Sequence, residues 1–263
     1  MRILHISDLH FGIENAEAIA VVARFVAEAA PDVIVASGDL STIGIASELE
    51  AACAWLASLG PPVIATPGNH DVPYHEILPR FWHPFARYRR ASAGRLRDGW
   101  NGDGLFVHTI NTARGWQLRA NWALGAVSSR QLRAACAALA AAPPDALKVI
   151  VTHHPLLFPP DSPIGGQTHG GAHAARSLIA AGADLFLAGH LHVLQETRVR
   201  GPRSTAVALT AGTLSQRLRG EPPAFLLVDY RDTHVIEVSR YAIADGAALK
   251  RSKDVMDLET MSA

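Results

Sequence analysis

The fold of this chain is indicated first by an apolar run that leads into polar side chains near the N-terminus, Ile3-Leu4-His5-Ile6-Ser7-Asp8-Leu9-His10-Phe11-Gly12. Residues 2–7 are predicted to form a short buried strand, and Asp8 and His10 follow at its end. Two side chains placed in this way can reach one point beyond the sheet. An Asp-x-His pair also occurs in solvated surface loops. The pair therefore indicates a site only if other parts of the chain supply partners.

Four later apolar strands also end in polar turns. The turns are Gly38-Asp39 after 33–36, Gly68-Asn69-His70-Asp71 after 63–65, His153-His154-Pro155 after 148–152, and Gly189-His190-Leu191-His192 after 184–188. Helical patterns cover 15–30, 44–58, 129–142 (with Ser128 as N-cap) and 172–181. This alternation predicts βαβ units and a parallel sheet. All five turns should then lie at one edge, outside the carboxyl ends of the strands.

Glycines precede three of the candidate ligands. Gly38, Gly68 and Gly189 stand where a backbone bend without a Cβ would turn the next side chain inward.

The side chains in these turns are carboxylates, one amide and imidazoles, without a thiolate. This donor set suits divalent or trivalent transition metals such as Zn, Mn or Fe better than a calcium site. Seven donors are too many for one ion but divide well over two, if one carboxylate bridges. Two ions about 3.5–4 Å apart can hold a phosphoryl group and supply a hydroxide at neutral pH.

The five blocks, in this order and spacing, resemble the calcineurin-like metallophosphoesterase superfamily, and in particular its bacterial branch similar to cyclic-nucleotide phosphodiesterases. The resemblance runs from residue 3 to residue 192. It implies an α/β fold, a four-layer αββα sandwich of two mixed sheets flanked by helices, over residues 1–245.

The resemblance also implies a role for each residue in the turns. Asp8, His10 and His192 would bind the first metal ion. Asn69, His153 and His190 would bind the second, and Asp39 would bridge the two. The cofactors would be two transition-metal ions, Mn, Fe or Zn.

Catalytic roles are expected next to these ligands. His70 would protonate the leaving group or stabilise charge, and Asp71 would orient His70 from behind. Substrate contacts are expected from Asn69 and His70, from His154, and from His169 in the glycine-rich loop. His153 and His154 compete for one ligand position; the His-x-Pro spacing of the family selects His153, and the alternative for His154 is a neighbour that supports the ligands. The alternative for His169 is an ordinary exposed histidine.

The segments outside the turns are less specific. Residues 74–104 are rich in aromatic and basic side chains, and are either a cap over the site or an amphipathic helix with a basic face. Residues 116–122 are predicted to be a loop or a strand. Arg217 and Arg219 either bind a phosphate or stabilise the sheet, and the structural role is favoured.

The last third of the chain changes character. Strands are expected over 194–200, 205–211, 224–230 and 233–241, forming a second, mostly antiparallel sheet. The polar residues 246–263 are expected to be a frayed tail.

Composition excludes several classes of protein. The 24 basic and 24 acidic residues cancel, which argues against a nucleic-acid partner. Two cysteines do not make a disulfide framework, and no apolar run is long enough for a membrane span. The N-terminus has no basic region followed by an apolar run, so a signal peptide is not expected. A cytoplasmic protein is expected, and a homodimer and a peripheral lipid substrate are left open.

The leading functional hypothesis is a phosphodiesterase in which a metal-bridging hydroxide attacks a small phosphodiester, such as a cyclic nucleotide or a glycerophosphodiester. The alternatives are hydrolysis of a nucleotide-linked lipid pyrophosphate of the UDP-diacylglucosamine type, and phosphomonoester hydrolysis. A nuclease and a non-catalytic scaffold are disfavoured.

Overall fold

A computed structural model describes residues 1–118, 121–159, 161–200, 205–232 and 235–258. Its strands are β1 (Arg2–Ile6), β2 (Val33–Ala36), β3 (Val63–Ala65), β4 (Gly99–Gly102), β5 (Leu105–Ile110), β6 (Leu147–Thr152), β7 (Leu185–Ala188), β8 (Gln195–Arg200), β9 (Thr205–Thr210), β10 (Ala224–Asp232), β11 (Val235–Ala244) and β12 (Ala247–Asp257). Its helices are α1 (Ala16–Ala29), α2 (Ala46–Ser58), α3 (Ile77–Trp82), α4 (Ala86–Ser92), α5 (Ser129–Ala141) and α6 (Gly171–Ala180).

These strands form two six-stranded sheets. The first has the order β12-β11-β10-β1-β2-β3, and the second has the order β4-β5-β6-β7-β9-β8. In the first sheet β1, β2 and β3 are parallel, and β10 joins β1 antiparallel. In the second, β5, β6, β7 and β9 are parallel, while β4 and β8 are antiparallel to their neighbours.

The alternation of side chains along each strand builds the four layers. Ile3 and Val33 face the second sheet and pack with Val149 in a core between the sheets. Leu4 and Ile34, one residue further on, face α1 and α2 in an outer core. Ile150 and Phe186 of the second sheet face α5 and α6 in the other outer core. The αββα sandwich implied by the resemblance is therefore confirmed.

The sequence-based assignment of strands to sheets was wrong. The strands of the last third do not form a sheet of their own, because β8 and β9 extend the second sheet and β10 to β12 extend the first. The five turns that carry the predicted metal ligands consequently come from two sheets. An apolar pattern shows that a strand exists, but its hydrogen-bonding partner depends on contacts far away in the chain.

The prediction of a frayed tail was also wrong over 247–257. These residues form β12, an edge strand that pairs with β11 along its whole length. Most of its side chains are exposed, so the strand has no apolar alternation and its stability comes mainly from backbone hydrogen bonds. Residues 259–263 lie outside the described part of the chain.

The four long helices begin and end within two residues of their predicted limits. Ser128 caps α5 as predicted, in a capping box with Gln131. Residues 74–104 contain α3, α4 and β4, and Trp116 to Leu118 is a loop without a strand.

Cys53 is buried and Cys136 half-buried, and both are free thiols. Among the described residues no helix is long and apolar enough to span a membrane.

Candidate metal centre and its pocket

The turns that follow β1, β2 and β7 have an unusual backbone. Asp8, His10, Asp39, His190 and His192 all have φ between 44° and 69°, in the left-handed region. This conformation costs about 1–2 kcal/mol for a residue with a Cβ. Asp and His adopt it more readily than most residues. Backbone hydrogen bonds hold it in place, from the Asp8 amide to the Gly38 carbonyl and from the His10 amide to the Asp39 carbonyl, each 3.0 Å.

The glycines of these turns are explained mainly by close packing. A Cβ on Gly68 would lie 2.1 Å from Asp39 Oδ1, and one on Gly189 would lie 1.8 Å from Ser7 Oγ. Only Gly38 also has a positive φ. The bend expected at Gly68 and Gly189 lies instead at neighbouring residues such as Asp39 and His190.

In Asp8 and Asp39, the two oxygens of each carboxylate have different partners. Asp8 Oδ2 accepts a hydrogen bond from the His190 amide at 2.9 Å. Asp39 Oδ1 accepts one from the His70 amide at 2.8 Å. The other oxygen of each carboxylate is left to face the imidazoles.

Three imidazoles face these free oxygens. His192 Nε2 lies 3.0 Å from Asp8 Oδ1. Asp39 Oδ2 lies 3.7 Å from His10 Nε2 and 3.3 Å from His153 Nε2. His153 Nε2 is also 3.2 Å from Asn69 Oδ1. Asp39 therefore lies between two groups of donors, as a bridging ligand must.

His190 completes the second group. Its ring packs 5.2 Å from that of His153, and one nitrogen each of His153, His154 and His190 lies within 4.8 Å of the other two. The structure thus brings all seven predicted ligands together.

Next to the centre, a pocket of about 740 Å³ opens to the surface. Asn69, His70 and Arg217 line it on the metal side, and Tyr74, Ile77, Arg80 and Trp122 line it further out.

Comparison with known proteins agrees with this geometry. A family model described as calcineurin-like phosphoesterase matches residues 1–194. The chain belongs to the calcineurin-like phosphoesterase family. No curated protein matches it at a significant level.

Solved structures with a similar fold include three of particular interest. Purple acid phosphatase PPD1 from yellow lupin superposes with a TM-score of 0.70 at 12% identity, over 98% of this chain but only 53% of the lupin protein. TT1561 of Thermus thermophilus gives 0.56 at 14% identity, over 98% of both chains. Vacuolar protein sorting 29 from Cryptosporidium parvum gives 0.52 at 14% identity, over 97% of both chains. At these identities the similarity establishes the fold.

The electrostatics of this family member favour metal binding. Burial alone would raise the pKa of Asp8 and of Asp39, but His192 beside Asp8 and His153 beside Asp39 hold both pKa values well below the usual range. Burial lowers the pKa of His10 and of His190 to about 3. Asp8 and Asp39 are therefore charged and His10 and His190 neutral, the protonation states in which these side chains bind metals. Asp39 instead raises the pKa of His153 to about 9 against the effect of burial, so this imidazole must lose its proton to bind a metal.

Two further observations test whether a metal fits. Asp8 Oδ1 is buried 3.0 Å from His192 Nε2, and this contact needs a cation or a proton between the two atoms because both otherwise present lone pairs. The other ring nitrogens of two histidines contact carbonyl groups, His153 Nδ1 with Ser37 at 2.9 Å and His192 Nδ1 with Arg217 at 2.6 Å. Because a carbonyl only accepts, these Nδ1 atoms carry the protons and Nε2 is free to bind a metal. The His/Asp clusters are thus able to bind metal ions.

His70 lies beside the centre, where a leaving-group acid is expected. Its Nδ1 donates to the Thr42 carbonyl at 2.6 Å. Its Nε2 therefore accepts from Arg217 Nη1 at 2.8 Å. Glu48 fixes this arrangement by accepting from the Thr42 and Ile43 amides.

Asp71 does not orient His70 as predicted. It is fully buried and accepts from the amides of Leu40, Ser41 and Gly68 and from the Ser41 hydroxyl, at 2.8–3.2 Å. It therefore ties the Asp39 turn to the Asn69 turn. Burial, with help from Asp39, raises its pKa to about 6 against these hydrogen bonds.

The prediction of substrate contact at His154 was wrong. The residue is buried, with Nδ1 2.8 Å from Thr112 Oγ1 and Nε2 2.7 Å from the Ala123 carbonyl. Both ring nitrogens are occupied, so His154 supports His190 from behind. His169 is exposed, its backbone pairs with residues 125–127, and it does not line the pocket.

Sequence reasoning undervalued Arg217. Arg219 has the structural role that was favoured, since it donates to the His190 carbonyl at 3.0 Å. Arg217 instead places its guanidinium on His70 in the pocket. The only signal was a basic residue in a turn-rich segment, which does not show where the side chain will lie.

Proposed function

We propose that this protein is a dinuclear, metal-dependent phosphodiesterase that hydrolyses a small phosphodiester such as a cyclic nucleotide or a glycerophosphodiester. Asp8, His10 and His192 would hold one ion and Asn69, His153 and His190 the other, with Asp39 shared. The observation that carries the proposal is the position of Asp39 Oδ2 between His10 and His153. Manganese, iron and zinc all suit these donors.

The chain's own residues would act on the substrate from the pocket side. Two bound ions would supply charge neutralisation and an activated water nucleophile. Arg217, which now donates to His70, is able to donate to a phosphoryl oxygen of the bound substrate. That exchange would free His70 Nε2 to take up a proton from solvent and pass it to the leaving oxygen, while Thr42 keeps the ring in position.

The neutral amide of Asn69 suits a diester. Its oxygen faces His153, and Asn69 also lines the pocket, so the residue is shared between metal and substrate. A diester carries one negative charge at neutral pH, and one guanidinium is sufficient to pair with it.

The test uses metal-loaded protein with bis-p-nitrophenyl phosphate and with p-nitrophenyl phosphate. We expect turnover of the diester to exceed that of the monoester. Asn69→Ala should reduce diester turnover at least about a hundredfold, the size of effect expected when an oriented contact to the transition state is lost. Asn101→Ala, at an exposed position of the edge strand β4, is the matched control and should leave turnover unchanged.

Three results would contradict the proposal. One is the absence of diester turnover with manganese, iron and zinc each tested. Another is unchanged turnover in Asn69→Ala. Preference for the monoester would favour phosphomonoester hydrolysis instead, and a panel including nucleotide-diphosphate lipids would test the pyrophosphate alternative.

A further inference from the structure

Large exposed apolar side chains are concentrated beside the pocket. Among the described residues, eight of the twelve such side chains lie in two short segments. Tyr74, Ile77, Leu78, Phe81 and Trp82 belong to α3 and the turn before it. Trp116, Leu118 and Trp122 belong to the loop after β5. We call these eight side chains the apolar platform.

The two segments of the platform touch each other. The ring of Phe81 packs against Trp82 at 5.1 Å and against Trp116 at 5.6 Å. Arg80 is buried between them, donating to the Gly115 carbonyl at 2.9 Å and lying over the Trp122 ring at 5.3 Å. Phe81 and Arg80 therefore join the two segments of the platform.

Much of this surface is available for contact. Ile77 is 78% exposed, Leu78 71% and Trp82 68%. A contiguous apolar surface of this kind on a protein marks a place where another apolar group binds.

The platform is continuous with the catalytic pocket. Tyr74, Ile77 and Trp122 line the pocket and belong to the platform. The Tyr74 ring lies parallel to that of His70, 6.5 Å away. A substrate whose phosphoryl group lies beside His70 would direct an ester group across Tyr74 onto the platform.

We propose that the platform binds a hydrocarbon chain carried by the substrate, so that the natural substrate is an amphiphilic phosphoester. This inference rests on the proposed phosphodiesterase activity, which supplies the phosphoryl end of the substrate. Continuity with the pocket favours a chain on the substrate over a separate partner.

The first test compares ethyl and hexyl p-nitrophenyl phosphate as substrates of the metal-loaded protein. Both release p-nitrophenolate, so only the chain differs. We expect kcat/KM for the hexyl ester to be at least about tenfold higher, since each methylene removed from water contributes to binding. Leu78→Ser with Trp82→Ser should reduce this ratio to near one. Leu249→Ser with Val255→Ser, two exposed apolar residues of β12, is the matched control and should keep the ratio.

A second measurement does not depend on turnover. Three of the five tryptophans belong to the platform, so tryptophan fluorescence reports on it. Hexylphosphonate, whose P–C bond is not hydrolysed, should bind at least about tenfold more tightly than ethylphosphonate and shift the emission. Leu78→Ser alone, which retains all the tryptophans, should weaken this preference.

The outcomes separate the two proposals. If neither ester is hydrolysed but hexylphosphonate binds preferentially, the phosphodiesterase proposal fails and the platform proposal stands. Equal kcat/KM for the two esters together with equal affinity for the two phosphonates would overturn the platform proposal. So would a dimer that dissociates in the double platform variant without any preference for the longer chain, because a second copy would then be the occupant.

Discussion

At the scale of single residues, the site depends on carboxylates that perform two tasks at once. Asp8 and Asp39 each fix a backbone amide with one oxygen and face the imidazoles with the other. The sequence predicted that these residues would be ligands. It could not show the second task, because the amides they accept from belong to His190 and His70, far away in the chain.

Asp71 gives a prediction that distinguishes a positioning residue from a catalytic one. The carboxylate of Asp71 accepts four buried hydrogen bonds on its two oxygens. Asp71→Asn replaces one of these oxygens by an NH2 group, so the free energy of unfolding should fall by about 1–3 kcal/mol. Metal affinity and turnover should fall as well, because the Asp39 and Asn69 turns lose their connection. Urea unfolding and metal analysis check this. Loss of turnover with unchanged stability would instead indicate a role in the chemical step.

His5 gives a prediction about pH. It is buried against Ser37, and burial lowers its pKa to about 3. The unfolded chain therefore binds a proton at this residue below about pH 6.5, while the folded protein does not until about pH 3. The contribution of neutral His5 to stability is present above pH 6.5 and is lost as the pH falls towards 3.

The measurement is urea unfolding of the wild type and of His5→Gln between pH 7 and pH 4. The wild type should lose more stability than the variant over this range. Parallel pH dependences of the two proteins would contradict the assignment.

At the scale of elements, the positions of strands and turns could be predicted from the sequence better than the contacts that each of them makes. The four long helices and the ligand-bearing strands follow from periodicity, because each buries one face or both. β12 was missed because its exposed side chains carry no period, although the strand pairs with β11 along its length. The turns were located correctly, but the need for glycine at Gly68 and Gly189 comes from neighbouring elements rather than from the local bend.

The turn after β7 therefore provides a test. In Gly189→Ala the new Cβ would lie 1.8 Å from Ser7 Oγ and 2.5 Å from Asp8 Oδ2, so β7 and β1 must separate. We expect a loss of about 1–3 kcal/mol in unfolding free energy and weaker metal binding. Gly165→Ala, with no atom within 4 Å of its Cβ, should change stability by less than about 0.5 kcal/mol. Equal behaviour of the two variants would show that the turn relaxes freely.

At the scale of the whole molecule, the candidate metal ligands come from both sheets. Asp8, His10, Asp39 and Asn69 follow strands of the first sheet, and His153, His190 and His192 follow strands of the second. Ions bound there would hold the two halves of the sandwich together. Metal binding should consequently stabilise the protein as a whole.

Chelation tests this connection. With free metal at about one hundred times its Kd, bound metal adds about 2.7 kcal/mol for each site. Removing it with EDTA should lower Tm by several degrees, and adding manganese or zinc should restore Tm. In Asp39→Asn, which weakens both sites, Tm should respond little to the chelator. A wild-type Tm that is unaffected by EDTA and by added metal would contradict a centre that bridges the sheets.

The sequence by itself determined the family, the sandwich fold and the set of candidate metal ligands, because those residues directly follow apolar strands and their spacing is local information. Tertiary structure decided which sheet each strand joins, what Asp71 holds and where Arg217 lies. It also decided that the apolar side chains of 74–82 and 116–122 meet beside the pocket. These features arise from contacts between residues distant in sequence, and such contacts leave no period or motif in the chain.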